Sequence, residues 1–221
     1  MILQAYKRAL GVLLKKPIKL WGISLLGTLF TSLSSILFSG IPALSLSVIL
    51  LLSTSMVMVY LHGLRGEDVK VVHLFDCFKD WKTIKRVLFG MLWMTLWIFL
   101  WSLIPIVGFV FAIIKGYEYR LVPYILVHEQ DIAITEATNV SKERTTGFKG
   151  QMFLSEFLTG VAIFVVTLVL TLFAAIPFIG ILFGIVEFLF ILAVIIFINL
   201  FLGLVQASFY ELITEKVQNK Q

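Results

Sequence analysis

Residues 20–64, LWGISLLGTLFTSLSSILFSGIPALSLSVILLLSTSMVMVYLHGL, contain no Lys, Arg, Asp or Glu. A membrane helix needs about 20 mostly apolar residues to cross a hydrocarbon core of about 30 Å. At 45 residues the stretch is long enough for two crossings. Ser39-Gly40-Ile41-Pro42 divides it, because Pro cannot donate within a helix and Gly relieves a turn. The stretch therefore reads as a membrane hairpin, about 20–38 and 43–62.

Three further stretches lack charge: 87–114, 157–186 and 188–210. Ile104-Pro105-Ile106-Val107-Gly108 and Ile176-Pro177-Phe178-Ile179-Gly180 repeat the first turn's chemistry between segments long enough to span. The Ile-Pro turns fall at 42, 105 and 177, a weak internal repeat. Repeated hairpins occur in membrane transport folds, but any short apolar hairpin also favours Pro and Gly. The spans predicted after the first pair are about 87–104, 107–127, 153–175 and 179–206. The fold class is all-α: a polytopic membrane helical bundle of six transmembrane helices in three hairpins, with interfacial amphipathic helices. Residues 1–221 form one domain, with a basic leader at 1–19 and inner loops at 63–86 and 128–150.

Composition excludes a water-soluble fold. The chain is 60% hydrophobic and 14% charged, with mean hydropathy +1.02; soluble domains average about 45–50% apolar and about 25% charged. The inner loops are too short for a separate catalytic domain, which needs about 50 residues. Cys77 is the one cysteine, so no intramolecular disulfide forms. The basic amino terminus runs into a long apolar stretch with no small-residue cleavage site, which reads as an uncleaved start.

Charge placement orients the bundle. With the amino terminus in the cytoplasm, inner segments hold Lys7, Arg8, Lys15, Lys16 and Lys19, then Arg65, Lys70, Lys79, Lys82, Lys85 and Arg86. Lys142, Arg144 and Lys149 follow, then Lys216 and Lys220. Only Lys115 and Arg120, of 18 Lys and Arg, fall inside a predicted span, and the outer turns carry no charge. This is the positive-inside pattern, and both termini come out cytoplasmic. A five-span alternative, with one helix through 87–114, sends Lys142, Arg144 and Lys149 outside.

Ionisable groups inside spans are costly and mark candidate sites. Lys115, Glu118 and Arg120 lie in the fourth span, Glu156 near the inner end of the fifth, and Glu187 in the outer half of the sixth. Lys115 and Glu118, three apart, share a helical face; Arg120 points elsewhere, snorkelling inward or meeting Glu156. These groups form either a polar path or interhelical pairs that fix packing. Glu187 has no basic neighbour within a helical turn. It is a proton-binding carboxyl or a neutral acid hydrogen-bonded across helices.

Ser24, Thr28, Thr31 and Ser35 form a stripe on the first helix. Gly180 and Gly184 make a GxxxG spacing, and Asn199, Gly203 and Gln206 follow on a neighbouring arc. Trp93, Trp97 and Trp101 recur every four residues, with Trp101 an outer-interface anchor and the others lipid-facing or packing bulk.

Segment 70–86 reads as an interfacial helix with Val71, Leu74, Phe75, Phe78 and Trp81 on one face. His73, Asp76, Cys77 and Asp80 lie on the other, where metal-ligand residue types serve equally well as a solvated face. Lys79, Lys82, Lys85 and Arg86 suit anionic inner-leaflet lipid or a protein partner. No metal or cofactor site is expected. His62, His73 and His128 have unrelated spacings, and no nucleophile, base and orienter set identifies an enzyme. Basic residues in short segments between apolar runs exclude nucleic acid as a partner.

Gly63-Leu64-Arg65-Gly66-Glu67, Leu74-Phe75, Phe78-Lys79, Ile104-Pro105, the stretch 115–124, Ala137, Ser141, Gly147, Lys149 and Phe209-Tyr210-Glu211 carry a resemblance. Over about 55–212 the chain resembles an uncharacterised family of bacterial integral membrane proteins, domain-of-unknown-function family nine-seven-five. It is more distantly similar to the membrane domain beside some glycerophosphodiester phosphodiesterases. The resemblance implies a six-helix bacterial membrane protein and transfers no catalytic role to any residue. The functional expectation is a transport-like or accessory subunit handling a small or amphipathic molecule. The alternative is a non-transporting scaffold that binds lipid, a protein partner or a second copy.

Overall fold

The computed structural model describes residues 1–15, 18–105 and 107–218, and no strand occurs among them. Lys16, Ile106 and Lys220, placed above in the leader, the second Ile-Pro turn and the last basic segment, lie outside the described residues. In chain order the helices are α1 (Ile2–Leu14), α2 (Ile18–Leu37), α3 (Pro42–Arg65), a 3-10 helix (Val71–Phe78), α4 (Trp81–Ser102), α5 (Gly108–Glu118), α6 (Val122–His128), α7 (Ala137–Thr145), α8 (Lys149–Ala174) and α9 (Gly180–Gln218). Five of them, α2, α3, α4, α8 and α9, are long and apolar enough to cross a membrane. Neighbours in sequence pack together: α2 on α3, α4 on α5, α8 on α9.

Local chemistry sets the element ends. Pro42 starts α3, where its fixed φ suits a first turn and its missing N–H costs nothing. Gly66 ends it in the left-handed region (φ 77°). Its N–H donates to the Gly63 carbonyl and that of Glu67 to the His62 carbonyl, closing the last turn. Asp80 caps α4 by accepting from the Thr83 backbone N–H at 2.8 Å and the Thr83 hydroxyl at 2.7 Å. Those two donors hold the Asp80 carboxyl below the usual carboxylate range.

Burial is concentrated at the end where the charged loops gather. Leu50–Leu61 of α3, Leu121–Leu126 and Leu200–Ile213 of α9 supply most of the core, with Leu74, Val87, Ala137 and Met152. Here α9 approaches α3 so closely that a Cβ on Gly203 would lie 2.3 Å from the Tyr60 ring. Tyr60 is itself bonded to Ser24 at 3.0 Å, drawing α2 to the same point. At the opposite end the helices present bare apolar surface: Phe109, Phe164, Ile181 and Phe188 are 74%, 65%, 79% and 67% exposed. Apolar area on that scale is not left in water by soluble monomers. It is compatible with a membrane-embedded protein.

The basic leader forms helix α1, which packs on α9 with Ala5 and Ala9 fully buried, and Arg8 pairs with Glu211 and Glu215. Three sequence expectations are corrected. The 179–206 helix continues to Gln218. Segment 70–86 is not one amphipathic helix, because Asp80 adopts extended backbone between the 3-10 turn and α4. A 3-10 helix repeats every three residues, so Cys77 shares the face of Leu74 and both are buried; Val71, at the open start of the helix, is exposed, as are Phe75 and Trp81. Residues 107–127 do not form one continuous helix: α5 stops at Glu118 and α6 begins at Val122.

The Cys77 result has a measurable consequence. Its backbone N–H donates to the Ser55 hydroxyl, and burial pushes the thiol's pKa up. A thiol held above its ordinary value carries less thiolate at mildly alkaline pH, and thiolate is the reactive form. Maleimide at about pH 8 should therefore label Cys77 slowly in the folded protein and rapidly in dodecyl sulfate. Equal rates in the two states would show that the thiol is open to solvent.

Candidate functional site at an interrupted helix

Pro123 breaks the fourth apolar segment. It has no N–H to give the Tyr119 carbonyl, and its ring crowds that carbonyl. The chain turns at residues 119–121, and the Val122 N–H bonds the Tyr119 carbonyl at 3.0 Å instead of reaching Glu118. Pro123 then occupies the first turn of α6, where it is tolerated. Helix α7 repairs the interruption. Ser141 donates to the Glu118 carbonyl at 2.7 Å and accepts from the Leu121 N–H at 3.2 Å. Thr145 adds a second bond to the Glu118 carbonyl at 3.2 Å.

Charged groups collect on both sides of this turn. Glu118, 5% exposed, receives Lys115 at 2.6 Å on one oxygen and Lys149, the first residue of α8, at 2.8 Å on the other. The Lys115 ammonium also lies over Trp101, 5.2 Å from the ring centre. Arg120 pairs with Glu156 of α8. Glu156 further accepts from the Tyr117 hydroxyl at 2.6 Å and the Gln206 amide at 3.1 Å. The Arg120 Nε is buried without a hydrogen-bond partner among the described residues.

A cavity of about 220 Å³ opens beside the turn, lined by Ser53, Met91, Tyr119, Arg120, Pro123 and Gln206. Six elements meet there: α3, α4, α5, the turn, α6 and α9. The turn thus offers a guanidinium, an amide and hydroxyls at an interruption of the backbone. Such groups can hydrogen-bond and orient a polar group of a size the cavity admits.

The structure brings together Lys115, Glu118, Arg120 and Glu156 but leaves two other candidates apart. Glu187 lies on the exposed part of α9 and accepts from the Thr171 hydroxyl of α8 at 2.5 Å, a bond across helices. Asn199 is exposed on α9, away from the cavity. The basic surface is partly used within the protein. Arg86 donates to the carbonyls of Leu126, Glu129 and Ile132 at 2.7–2.9 Å, closing the end of α6. Lys79 pairs with Asp76, and Lys85 lies over Trp81. Lys82 is exposed.

Sequence reasoning missed Pro123, Ser141, Tyr117 and Gln206 as parts of the site. The break itself was signalled by Pro123, read as interior to a span. The stripe Trp93, Trp97 and Trp101 also does more than face lipid: with Lys115, Glu136 and Asn139 it lines a second cavity of about 560 Å³. Of the Gly180–Gly184 pair, Gly180 at the start of α9 makes a close approach to α8, where a Cβ would strike the Ala174 carbonyl, whereas a Cβ on Gly184 would meet nothing within 4 Å. No family model, curated protein or solved structure matches this chain.

Proposed function

We propose that this chain is a multi-pass protein of the bacterial cytoplasmic membrane, with six crossings and both termini inside. It handles a small or amphipathic molecule at the interrupted helix, as a transport-like protein or the accessory subunit of one. The observation that carries this reading is the α5–α6 interruption beside a cavity lined by Arg120 and Gln206. Irregular backbone at membrane depth is tolerated where it is buried in protein or lines a cavity, and interrupted helices are where secondary transporters bind their cargo. The even number of crossings is supported by Leu126, which packs against Gly90 in the first half of α4. By then the chain has come back to the charged end.

The reading is non-enzymatic. Arg120, Glu156 and Gln206 supply charge and hydrogen bonds, and none is placed as a nucleophile. The alternative, a scaffold acting through Lys79, Lys82 and Lys85, predicts that reversing those charges matters more than any change at the cavity.

Thermal unfolding of the purified protein against a panel of small amphipathic molecules tests the proposal. A ligand at a hundred times its Kd stabilises by about 2.7 kcal/mol. At least one compound should stabilise the wild type, and the charge-balanced Arg120→Gln/Glu156→Gln double variant should lose that effect. Glu187→Gln should keep it. Equal stabilisation of wild type and double variant would remove the cavity from the reading. Topology is checked in a Cys77→Ser background, where Ser39→Cys should react from outside and Lys220→Cys should not.

A further inference from the structure

The trio at the interrupted helix is not neutral. Two ammonium groups, Lys115 and Lys149, share the single carboxylate of Glu118, which leaves one excess positive charge. Glu118 is 7% exposed at its side chain, Lys115 14% and Lys149 28%, so the excess is most accessible at Lys149. Lys149 is also the first residue of α8, a 26-residue helix whose amino-terminal dipole adds to the positive potential there.

Lys149 stands at the mouth of a groove of about 340 Å³ between α5 and α8. Val110, Ile114 and Phe153 form its walls, each 40–55% exposed. Tyr117 meets Phe153 edge-on, with ring centres 5.9 Å apart. At the mouth, a Cβ on Gly150 would find no atom within 4 Å, so the space beside Lys149 is open. The groove is therefore an apolar slot with one uncompensated cation at one end. That is the complement of a single acyl chain with an anionic head.

We propose that the α5–α8 groove binds one anionic phospholipid, its acyl chain along Val110, Ile114 and Phe153 and its phosphate on Lys149. This site is separate from the Arg120 cavity. It rests on the membrane reading, and does not depend on what the cavity carries. Lys79, Lys82 and Lys85 attract lipid only as a diffuse basic surface, whereas the groove adds an apolar slot for the chain.

The test reconstitutes the protein into vesicles of equal parts phosphatidylcholine and phosphatidylglycerol, extracts it in mild detergent and counts retained lipids by native mass spectrometry. One lysine near the surface favours anionic lipid by about fivefold, so the wild type should retain one phosphatidylglycerol in that preference. Lys149→Gln should bring the ratio to unity. It leaves Glu118 paired with Lys115, so the melting temperature should hold. Gly150→Leu fills the mouth from the first turn of α8 and should lower retention of both lipids. If Lys149→Gln does not fold, Gly150→Leu alone decides. The combined Lys79→Gln, Lys82→Gln and Lys85→Gln variant should keep the preference. No phosphatidylglycerol preference in the wild type overturns the proposal. So does a preference that survives Lys149→Gln, or one that vanishes only in the triple variant. Failure of the cysteine-labelling topology would strike the membrane reading instead, so the two failures are distinguishable.

Discussion

A Glu118→Gln protein is expected to unfold far more easily than the wild type, by about 3 kcal/mol. Removing one member of a buried ion pair leaves the other charge without compensation, and here two ammonium groups are stranded together. The figure sits at the low end of the range for buried pairs because Lys149 is 28% exposed and keeps some contact with polar surroundings. Set against a total stability of about 5–15 kcal/mol, such a loss removes much of the folded population. Circular dichroism melting in detergent reads it directly. Lys149→Gln provides the contrast, since it leaves a one-to-one pair and should melt near the wild type. A Glu118→Gln protein that melts with the wild type would mean that both lysines find other partners, and Glu118 would cease to be the hub of the turn.

The second large effect concerns Ser141. Its hydroxyl serves two buried backbone groups left free by the turn at 119–121, the Glu118 carbonyl and the Leu121 N–H. Ser141→Ala orphans the N–H outright, and the carbonyl retains only the Thr145 bond at 3.2 Å. A buried unsatisfied group costs about 1–3 kcal/mol, so the turn should lose about 2 kcal/mol. Hydrogen exchange of the peptide covering residues 119–126 should quicken about thirtyfold. Pro123→Ala restores the donor that a continuous helix needs, so adding it should recover part of the loss. The two substitutions share one turn and should not add. Unchanged exchange in Ser141→Ala would show that the turn is held by packing of Leu121 and Val122 alone.

Much of the architecture was readable from charge and hydropathy because those signals are long. Five apolar helices, their Pro- and Gly-marked turns and the grouping of charged loops at one end all rest on runs of twenty residues or more. The Lys115–Glu118 pair was readable too, since three-residue spacing on a helix brings side chains together whatever surrounds them. The approach of Arg120 to Glu156 was one of two options, and tertiary packing decided between them. What escaped was short-range backbone chemistry. A single proline outweighed the hydropathy of 107–127, and a tighter helical repeat moved Cys77 from a solvated face into the core. Ser141 could not have been placed, because its partners lie 20 and 23 residues away and its own neighbourhood is polar. Burial of α1 also depended on distance in sequence, as its main partner α9 lies at the other end of the chain.

Helix α9 is a 39-residue rod of about 58 Å, nearly twice a hydrocarbon core of about 30 Å. Gly203, pressed against Tyr60, divides it into a bare outer arm and an inner arm wedged among α1, α3 and α7. Any tilt of the rod about that contact would be magnified at its ends. For a rigid rod at 1.5 Å per residue, a swing of about ten degrees carries the Gly180 tip about 6 Å and the Gln218 tip about 4 Å the other way. Glu211, on the short arm, is gripped by Arg8 at 3.5 Å and Arg65 at 2.8 Å. Glu211 lies only about 12 Å along the rod from Gly203, so the same swing would move it by about 2 Å, less than either spacing, and the two arginines anchor the short arm against such a tilt.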